Sequence, residues 1–334
     1  MCERLTIILV LLACASGTAR AVTIATVPVD NPGNAPDTRY ESPGYGAVGY
    51  YYRIGTYEVT ASQYTGFLNA VAKTDTYGLY NTYMDTANDS YGCNIKRSGT
   101  PGSYTYSVAP DWANRPVNYV SFWDASRFSN WLNNGQPTGA QSASTTEDGS
   151  YTLNGYTSWD GRTIQRNAGA RWVLPSEDEW YKAAYHKNDG VTGNYWDYPT
   201  GTNSKPSNVL RNPDPGNNAN YYDFYGTGTG GETIGRPYAR TEVGAFANSL
   251  SSYGTFDQGG NVWEWDEAIS DSSIRVLRGG SFNDDYGYLL ARRHIDRFPD
   301  EEYIAYGFRV AYIPEPATIV MLALAGVGML RRRK

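Results

Sequence analysis

The segment Gly259–Trp265, which reads Gly-Gly-Asn-Val-Trp-Glu-Trp, has the spacing best suited to chemistry in this chain. Side chains alternate between the two faces of an extended backbone, so Trp263 and Trp265 share one face and Glu264 points to the other. The two indoles are predicted to lie in the core. The Glu264 carboxylate is then free to meet other oxygen atoms on the opposite side.

Several oxygen atoms around Glu264 are predicted to converge and form a cation site. The predicted ligands are the carboxylates of Asp257 and Glu264 and the backbone carbonyls of Gly260 and Val262. A set made only of oxygen atoms suits a hard cation, Ca²⁺ before Mg²⁺. On spacing alone a different arrangement is more common, in which Glu264 pairs with an arginine such as Arg278 or Arg309.

Five sequence blocks in a fixed order resemble the formylglycine-generating enzyme (sulfatase-modifying factor) family over about residues 50–312. The fourth block includes the Gly-Asn-Val-Trp-Glu-Trp segment described above. The blocks are 57–60 with 63–68, 115–125, 174–180, 260–265 with 278–282, and 307–310. The resemblance implies a single irregular α+β domain, rich in loops, with a C-type-lectin-like core. It also favours the calcium set and adds Asn220 as a further ligand.

Members of this family oxidise a substrate cysteine with O₂, using copper held by two cysteine thiolates shortly after the Arg-Gly-Gly-Ser block. Counted without gaps, the matching positions here are Asp284 and Leu289. Neither side chain binds Cu(I), which requires soft ligands such as thiolates. Cys93 is a single thiol nearly 200 residues away, so no copper and no catalytic residue of the family reaction is expected.

The segment that replaces the copper site is the candidate binding surface. We predict a groove formed by Asp284, Asp285, Tyr286 and Tyr288 and flanked by a long loop over 187–240. Its tyrosines would contact polysaccharide or extended peptide, which makes the chain a non-catalytic binding module. The alternative is a divergent oxidoreductase that modifies a protein side chain with O₂ and a metal held by Asp284, Asp285 or His294.

Three helices are predicted to frame these residues, each with a capping box at its start. The boxes are Thr60 with Gln63, Ser121 with Asp124, and Ser176 with Glu179. Residues 50–59 alternate as a strand, and Asn154-Gly155 indicates a hairpin turn. These elements alone define only a mixed α and β domain dominated by loops.

Composition narrows the function further. The chain of 334 residues has a net charge of −6 and only 19% charged residues, which argues against nucleic acid as a partner. Its 30 tyrosines suit contacts with sugars or proteins, or packing beneath long loops. Cys93 remains alone after removal of the N-terminal leader and is predicted to be buried, with intermolecular pairing as the alternative.

Both ends carry predicted targeting segments. Residues 1–21 are typical of a signal peptide, removed by signal peptidase, and 22–49 form an N-terminal extension. Residues 313–334 contain Pro314, Glu315 and Pro316, an apolar run over 317–330 and a basic end over 331–334. This tail resembles the PEP-CTERM sorting signal, which implies transient membrane anchoring, processing by an exosortase, and delivery to the envelope, surface or matrix of a Gram-negative bacterium. A permanent membrane anchor is the alternative.

Overall fold

The computed structural model describes residues 21–271 and 273–314. Three α-helices lie among short strands and long irregular segments: α1 (Ala61–Val71), α2 (Phe122–Asn133) and α3 (Glu177–Tyr185). The strands, in chain order, are β1 (Thr26–Val29), β2 (Tyr52–Gly55), β3 (Ile95–Ser98), β4 (Thr105–Val108), β5 (Trp172–Val173), β6 (Trp263–Asp271), β7 (Ile274–Arg278), β8 (His294–Arg297), β9 (Tyr306–Gly307) and β10 (Ala311–Tyr312). This content confirms the predicted loop-rich α+β domain.

The strands form three sheets in the described part of the chain. One sheet has the order β1-β2-β10-β5, a second pairs β3 with β4, and the third has the order β8-β7-β6-β9. In the third sheet only β9 runs parallel to its neighbour, with Trp263 opposite Tyr306. Because β1 pairs with β2, the predicted extension 22–49 contributes a strand to the fold.

All three predicted capping boxes are confirmed. The side chains of Thr60, Ser121 and Ser176 each accept a hydrogen bond from the backbone N–H three residues on, and the third residue's side chain bonds back to the cap N–H. These bonds satisfy donors that the first turn of a helix leaves unpaired. The cap at Ser176 sets the start of α3, which carries Trp180 toward Glu264.

An aromatic core joins α1 and α2 to the sheets. Tyr64 and Phe67 of α1 pack on Phe128 of α2, with ring centroids 6.2 and 5.3 Å apart, and Phe308 closes the cluster 5.3 Å from Phe128. Trp265 is fully buried, as the alternation predicted. Cys93 is also free and fully buried, as predicted.

One predicted element is wrong and another is shorter than expected. Asn154 and Gly155 do form a turn with positive φ angles of 50° and 81°, but no hairpin surrounds it. Tyr151, just before the turn, instead bridges Arg166. The strand predicted over 50–59 is paired only at Tyr52–Gly55.

The long connection predicted over 187–240 is irregular and extends further than expected. Every residue from 186 to 262 is described, and none of them lies in a named helix or strand. Isolated bridges hold this connection, among them the one that joins Asn220 to Gly260. None of the helices in the described ranges has the length and apolar character needed to cross a membrane.

Candidate functional site

Glu264 lies at the centre of a buried ionic cluster. Arg309 holds it with two hydrogen bonds, Nε to Oε2 at 2.5 Å and Nη2 to Oε1 at 2.6 Å, and the Trp180 indole N–H donates to Oε2 at 2.6 Å. Both side chains of the ion pair are fully buried. Of the two arrangements considered for Glu264, a cation site or an ion pair with an arginine, the structure therefore has the ion pair, and Arg309 is the partner.

Arg278, the other arginine considered, pairs elsewhere. Its guanidinium contacts Glu177 of α3 at 2.6 Å, although Arg278 is directly opposite Glu264 in the β6–β7 ladder. Directly opposed residues of an antiparallel pair share a face of the sheet, and here both side chains meet α3, Arg278 through Glu177 and Glu264 through Trp180. Arg278 and Arg309 thus each pair with a different carboxylate.

The predicted calcium set does not assemble around Glu264. Its carboxylate oxygens are occupied by Arg309 and Trp180, and no three His, Cys, Asp or Glu side chains of the described residues are placed to hold a metal together. Gly260 has φ of 88°, and a Cβ there would meet the Asn220 carbonyl oxygen at 2.1 Å, so this glycine permits a close backbone contact. Val262 is buried.

Asp257 and Glu58 form the acidic part of this cluster. Asp257 accepts a hydrogen bond from the Gly244 N–H at 2.6 Å, and burial raises the pKa of its carboxyl to about 6. Neither oxygen of Glu58 has a hydrogen-bond partner, although both are buried. Burial, followed by the nearby charge of Asp257, raises the pKa of Glu58 well above its usual value.

Sequence reasoning missed Glu58 as a site residue. The only signal was its place in the Tyr57-Glu58-Val59-Thr60 block, where the surrounding residues indicated only a strand end and a helix cap. Two unpartnered carboxylate oxygens in the interior are unfavourable unless a proton or a cation neutralises them. A proton or a cation must therefore neutralise Glu58.

Asn220 holds the irregular connection against this cluster. Its side-chain amide donates to the Ala239 carbonyl at 3.0 Å and to the Asn261 amide oxygen at 2.8 Å, while its backbone carbonyl accepts from the Asn261 N–H at 2.9 Å. The Asn220 side-chain oxygen is buried without a hydrogen-bond partner. These contacts give Asn220 a role in positioning the segment that carries Glu264.

A cleft of about 140 Å³ opens on the other side of β6, at the place predicted for the binding groove. Two of the four predicted groove residues, Asp284 and Tyr288, lie in its wall. The complete lining is Trp263, Ser281, Asn283, Asp284, Tyr288, Ile295, Arg297, Tyr303, Ala305 and Tyr306. Four aromatic rings and several polar groups thus face one cavity.

Asp284 is one of the residues that line the cleft. Its Oδ2 accepts a hydrogen bond from the Trp263 indole N–H at 2.7 Å and another from the Ser281 hydroxyl. Burial raises the pKa of Asp284 in spite of these two bonds. The carboxylate that occupies a family copper-ligand position is therefore fixed to its neighbours.

The remaining residues of the predicted groove lie elsewhere, which corrects the prediction. Asp285 accepts from the Gly287 N–H and caps the short 3₁₀ turn Tyr286–Leu289. Tyr286 packs against Tyr221 and Tyr225 at 6.4 and 5.8 Å. The 3₁₀ turn separates Tyr286 from Tyr288, so only the second ring reaches the cleft.

Leu289, at the other family copper position, is a core residue. It is fully buried in a small cluster with Tyr198, Ala219 and Tyr221. Among the residues that line the cleft there is neither cysteine nor histidine. The two positions that the resemblance matches to the copper ligands thus hold a hydrogen-bonded carboxylate and a buried aliphatic side chain.

The alternative metal set of Asp284, Asp285 and His294 is not brought together. His294 lies on β8 with its Nδ1 3.7 Å from Glu177, and its ring meets Tyr45 edge-on at 6.3 Å. Asp284 is bonded in the cleft and Asp285 caps the 3₁₀ turn. The three side chains occupy three different environments.

The fold and the cleft together define a loop-rich α+β domain with a polar, aromatic-lined cavity. Residues 31–313 match the family model described as the sulfatase-modifying factor enzyme 1-like domain, and the chain belongs to that family. Residues 313–334 match the PEP-CTERM protein-sorting motif. This motif marks the chain for exosortase-mediated sorting and for export to the envelope of a Gram-negative bacterium.

Solved structures of several other proteins are similar to this chain. One is CarF, with 20% identity and a TM-score of 0.49, covering 88% of this chain and 100% of that one. Another is variable protein 1 of Treponema denticola, with 20% identity and a TM-score of 0.49, covering 89% and 98%. A third is PvdO from Pseudomonas aeruginosa, with 16% identity and a TM-score of 0.43, covering 87% and 92%. The curated proteins include no significant match.

Proposed function

We propose that this exported domain is a binding module whose cleft holds a ligand without oxidising it. The observation that supports this proposal most strongly is the identity of the two residues at the positions matched to the copper ligands of the family. Asp284 is hydrogen-bonded to Trp263 and Ser281, and Leu289 is buried in a hydrophobic cluster. Neither provides the thiolate that Cu(I) needs, so the cavity is left for recognition.

Polysaccharide is the ligand class that the cleft suits best. Tyr288 and Tyr303 stand at its edge with 38% and 49% of their surface exposed, while Trp263 and Tyr306 are buried deeper in the wall. Aromatic rings offer flat apolar faces to sugar rings, and nearby polar groups fix orientation by hydrogen bonds. Asn283 and Arg297 supply such groups beside the rings. The envelope destination marked by the sorting motif supports the choice of polysaccharide as the ligand class.

A glycan array probed with the purified domain tests this proposal. We expect the wild-type domain to retain a defined set of polysaccharides and Tyr303→Ala to lose them, because this exposed ring lies in the cleft wall. A parallel array of extended peptides addresses the other ligand class. Binding to peptides alone, or glycan binding unaffected by Tyr303→Ala, would contradict the proposal.

The oxidoreductase alternative has a direct test of its own. Oxygen uptake is measured with the purified domain, cysteine-containing peptides and added copper or iron. We expect no uptake above the metal-only background, because the cleft lining among the described residues has neither cysteine nor histidine. Metal-dependent turnover would establish an enzyme and overturn the binding proposal.

We also propose calcium as a structural ion, with a revised set of ligands. Glu58 and Asp257 would supply carboxylate oxygens, and Gly260 and Val262 would supply backbone carbonyls. The unpartnered oxygens of buried Glu58 support this revision. Glu264, whose oxygens bond to Arg309 and Trp180, would contribute only its charge. The role of such an ion would be to hold the irregular connection against β6.

A further inference from the structure

One wall of the cleft is a short segment between β8 and β9, residues 298–305, which we call the strap. Tyr303 and Ala305 of the strap line the cleft, and Tyr306 follows immediately at the start of β9. The strap has no helix or strand of its own. Its position therefore depends on the groups that bind it to the rest of the domain.

Three hydrogen bonds tie the strap backbone to the residues that lead into α2. The Phe122 N–H donates to the Pro299 carbonyl at 3.0 Å, and the Tyr119 N–H donates to the Tyr303 carbonyl at 3.1 Å. The Asn118 side-chain amide donates to the Ile304 carbonyl at 2.6 Å. The strap thus moves only if this contact with the start of α2 opens.

Glu302 extends from the middle of the strap into the same contact. The Asn81 side-chain amide donates to its carboxyl group. The backbone bonds from Tyr119 and Phe122 to the strap bring that carboxyl beside Asp124, where the two groups are placed to share a hydrogen bond. Asp124 is the capping-box residue of α2, and its Oδ2 accepts from the Ser121 N–H at 2.9 Å and the Ser121 hydroxyl at 2.7 Å. Two carboxyl groups therefore meet at the buried start of a helix.

The other charged groups near this pair are mostly engaged elsewhere. Asp75 is a third carboxylate, and it lies 3.5 Å from Arg97. Arg127 favours the ionised form of Asp124, but its guanidinium is bonded to both oxygens of Glu147, at 2.7 and 2.9 Å. The remaining titratable neighbour, the Tyr64 phenol, is buried and donates to the Leu79 carbonyl at 2.7 Å.

Two neighbouring buried carboxyl groups cannot both be ionised at low cost, so one of them keeps a proton. Burial, followed by the charge of Asp124, raises the pKa of Glu302 to about 9. Burial raises the pKa of Asp124 to about 6, against the lowering effect of Ser121 and Arg127. Glu302 is therefore the partner that holds the proton at neutral pH.

We propose that Glu302 and Asp124 share a single proton and that this proton fastens the strap to the start of α2, so that the cleft wall responds to pH. This inference rests on the binding role proposed above for the cleft. When the proton is present, Tyr303 is held in the wall. When it is lost, two negative charges repel each other and the strap separates from α2.

The sign of the response follows from the pKa of Glu302 in the two states. An open strap exposes Glu302 to water, where its pKa is about 4.3, whereas in the closed strap it is about 9. Protonated Glu302 therefore stabilises the closed state fully below a pH of about 4.3. This stabilisation is lost progressively as the pH rises from there through about 9, the pKa in the closed state. Within that window the opening equilibrium increases by up to about tenfold for each pH unit.

Amide hydrogen exchange at Tyr119 and Phe122 reports strap opening directly, because their N–H groups donate to strap carbonyls. We expect their protection factors in the wild-type protein to fall at least about tenfold between pH 6 and pH 8. The Val117 N–H, which donates to the Val59 carbonyl, serves as an internal control and should keep its protection. Equal protection of Tyr119 at the two pH values would overturn the proposal.

Glu302→Gln tests whether this carboxyl is the source of the response. A glutamine amide donates to Asp124 at every pH, so we expect the protection of Tyr119 to change less than about twofold between pH 6 and pH 8. Glu301→Gln is the matched control, because Glu301 lies 3.6 Å from Arg297 in a half-exposed pair, and it should keep the wild-type response. A wild-type response in Glu302→Gln would overturn the proposal. No ligand is present in this experiment, so its outcome is independent of whether the cleft binds glycans.

Discussion

Arg309 is the cation that interacts with the buried carboxyl groups of Glu264, Glu58 and Asp257. It is fully buried, pairs with Glu264, and donates further to the Gly55 and Phe256 carbonyls at 2.9 Å each. Its charge also opposes the raised pKa values of Glu58 and Asp257. One guanidinium thus compensates several buried carboxyl groups.

Replacing this guanidinium should be severely destabilising. We expect Arg309→Met to lower the free energy of unfolding by about 3–5 kcal/mol, because it leaves Glu264 buried without its cation. Urea denaturation measures the change. Arg162→Met is the control, since the Arg162–Asp160 pair lies on the surface and its loss should have no measurable effect. A small effect of Arg309→Met would mean that Glu264 is neutralised in another way.

Calcium should stabilise the fold through Glu58 and Asp257. If the ion binds only the folded state, a 100-fold excess over its Kd adds about 2.7 kcal/mol to the free energy of unfolding. Thermal melting with CaCl₂ and with EDTA measures this gain. We expect Glu58→Gln to abolish it and the surface variant Glu301→Gln to retain it. Identical melting curves for the wild type with CaCl₂ and with EDTA would contradict a calcium site.

For individual residues, the alternation of side chains along an extended backbone gave the most reliable predictions. It correctly predicted that Trp263 and Trp265 are buried and share a face. It could not choose between Arg309 and a cation as the partner of Glu264, because that choice depends on residues brought together from distant parts of the chain. It also failed at Asp285 and Tyr286, where a 3₁₀ turn replaces the extended backbone.

Helix α3 connects the ionic cluster to the rest of the domain. Its first turn carries Glu177, Asp178 and Glu179, acidic residues that the helix dipole favours near an N-terminus. Each of these also has a structural partner: Arg278 for Glu177, the Gly46 N–H for Asp178 and Arg166 for Glu179. The start of this helix is therefore fixed from several directions.

Removing the cap of α3 should weaken the fold measurably. We expect Ser176→Ala to lower the free energy of unfolding by about 1 kcal/mol, because the Glu179 N–H loses its acceptor. Ser62→Ala in the exposed first turn of α1 is the control and should change stability little. Chemical denaturation compares the two variants. Equal effects would show that the Ser176 hydroxyl adds nothing specific.

Elements determined by residues close together in the sequence were predicted, whereas elements that depend on pairing with distant parts of the chain were not. Each capping box lies within four consecutive residues, so all three helix starts could be read from the sequence. Strands β5, β9 and β10 are two residues long and exist only through pairing with remote partners. No local periodicity marks such short strands. The same holds for the strap, whose role depends on contacts with residues 118–124.

At the scale of the whole molecule, a family domain over 31–313 is joined to a sorting motif over 313–334. Family resemblance predicted both, because ordered blocks are far more specific than single motifs, although it put the start of the domain near residue 50 and the family model begins at residue 31. The predicted signal peptide, apart from residue 21, and the tail beyond residue 314, including Glu315 and Pro316, lie outside the described residues. Export to the envelope thus follows from the motif, and delivery to the surface or matrix stays a prediction.

The sorting motif should control release from the membrane. We expect replacement of Pro314, Glu315 and Pro316 by alanine to leave the precursor uncut in the membrane fraction of an exosortase-containing host. The wild-type protein should appear as a shorter, released form. Immunoblots of cell fractions distinguish the two. Processing of the variant at the wild-type level would show that the tail is handled by another route.

The cleft claim is tested most directly by titrating a glycan identified on the array into Tyr288→Ala and Tyr225→Ala side by side. Tyr288 lines the cleft against Trp263 at 5.9 Å, whereas Tyr225 is an exposed tyrosine beside Tyr286 and outside the lining. The binding account predicts that Tyr288→Ala raises Kd by about tenfold, the loss of one aromatic contact, and that Tyr225→Ala leaves Kd unchanged. Unchanged affinity in Tyr288→Ala, or an equal loss in both variants, would contradict it.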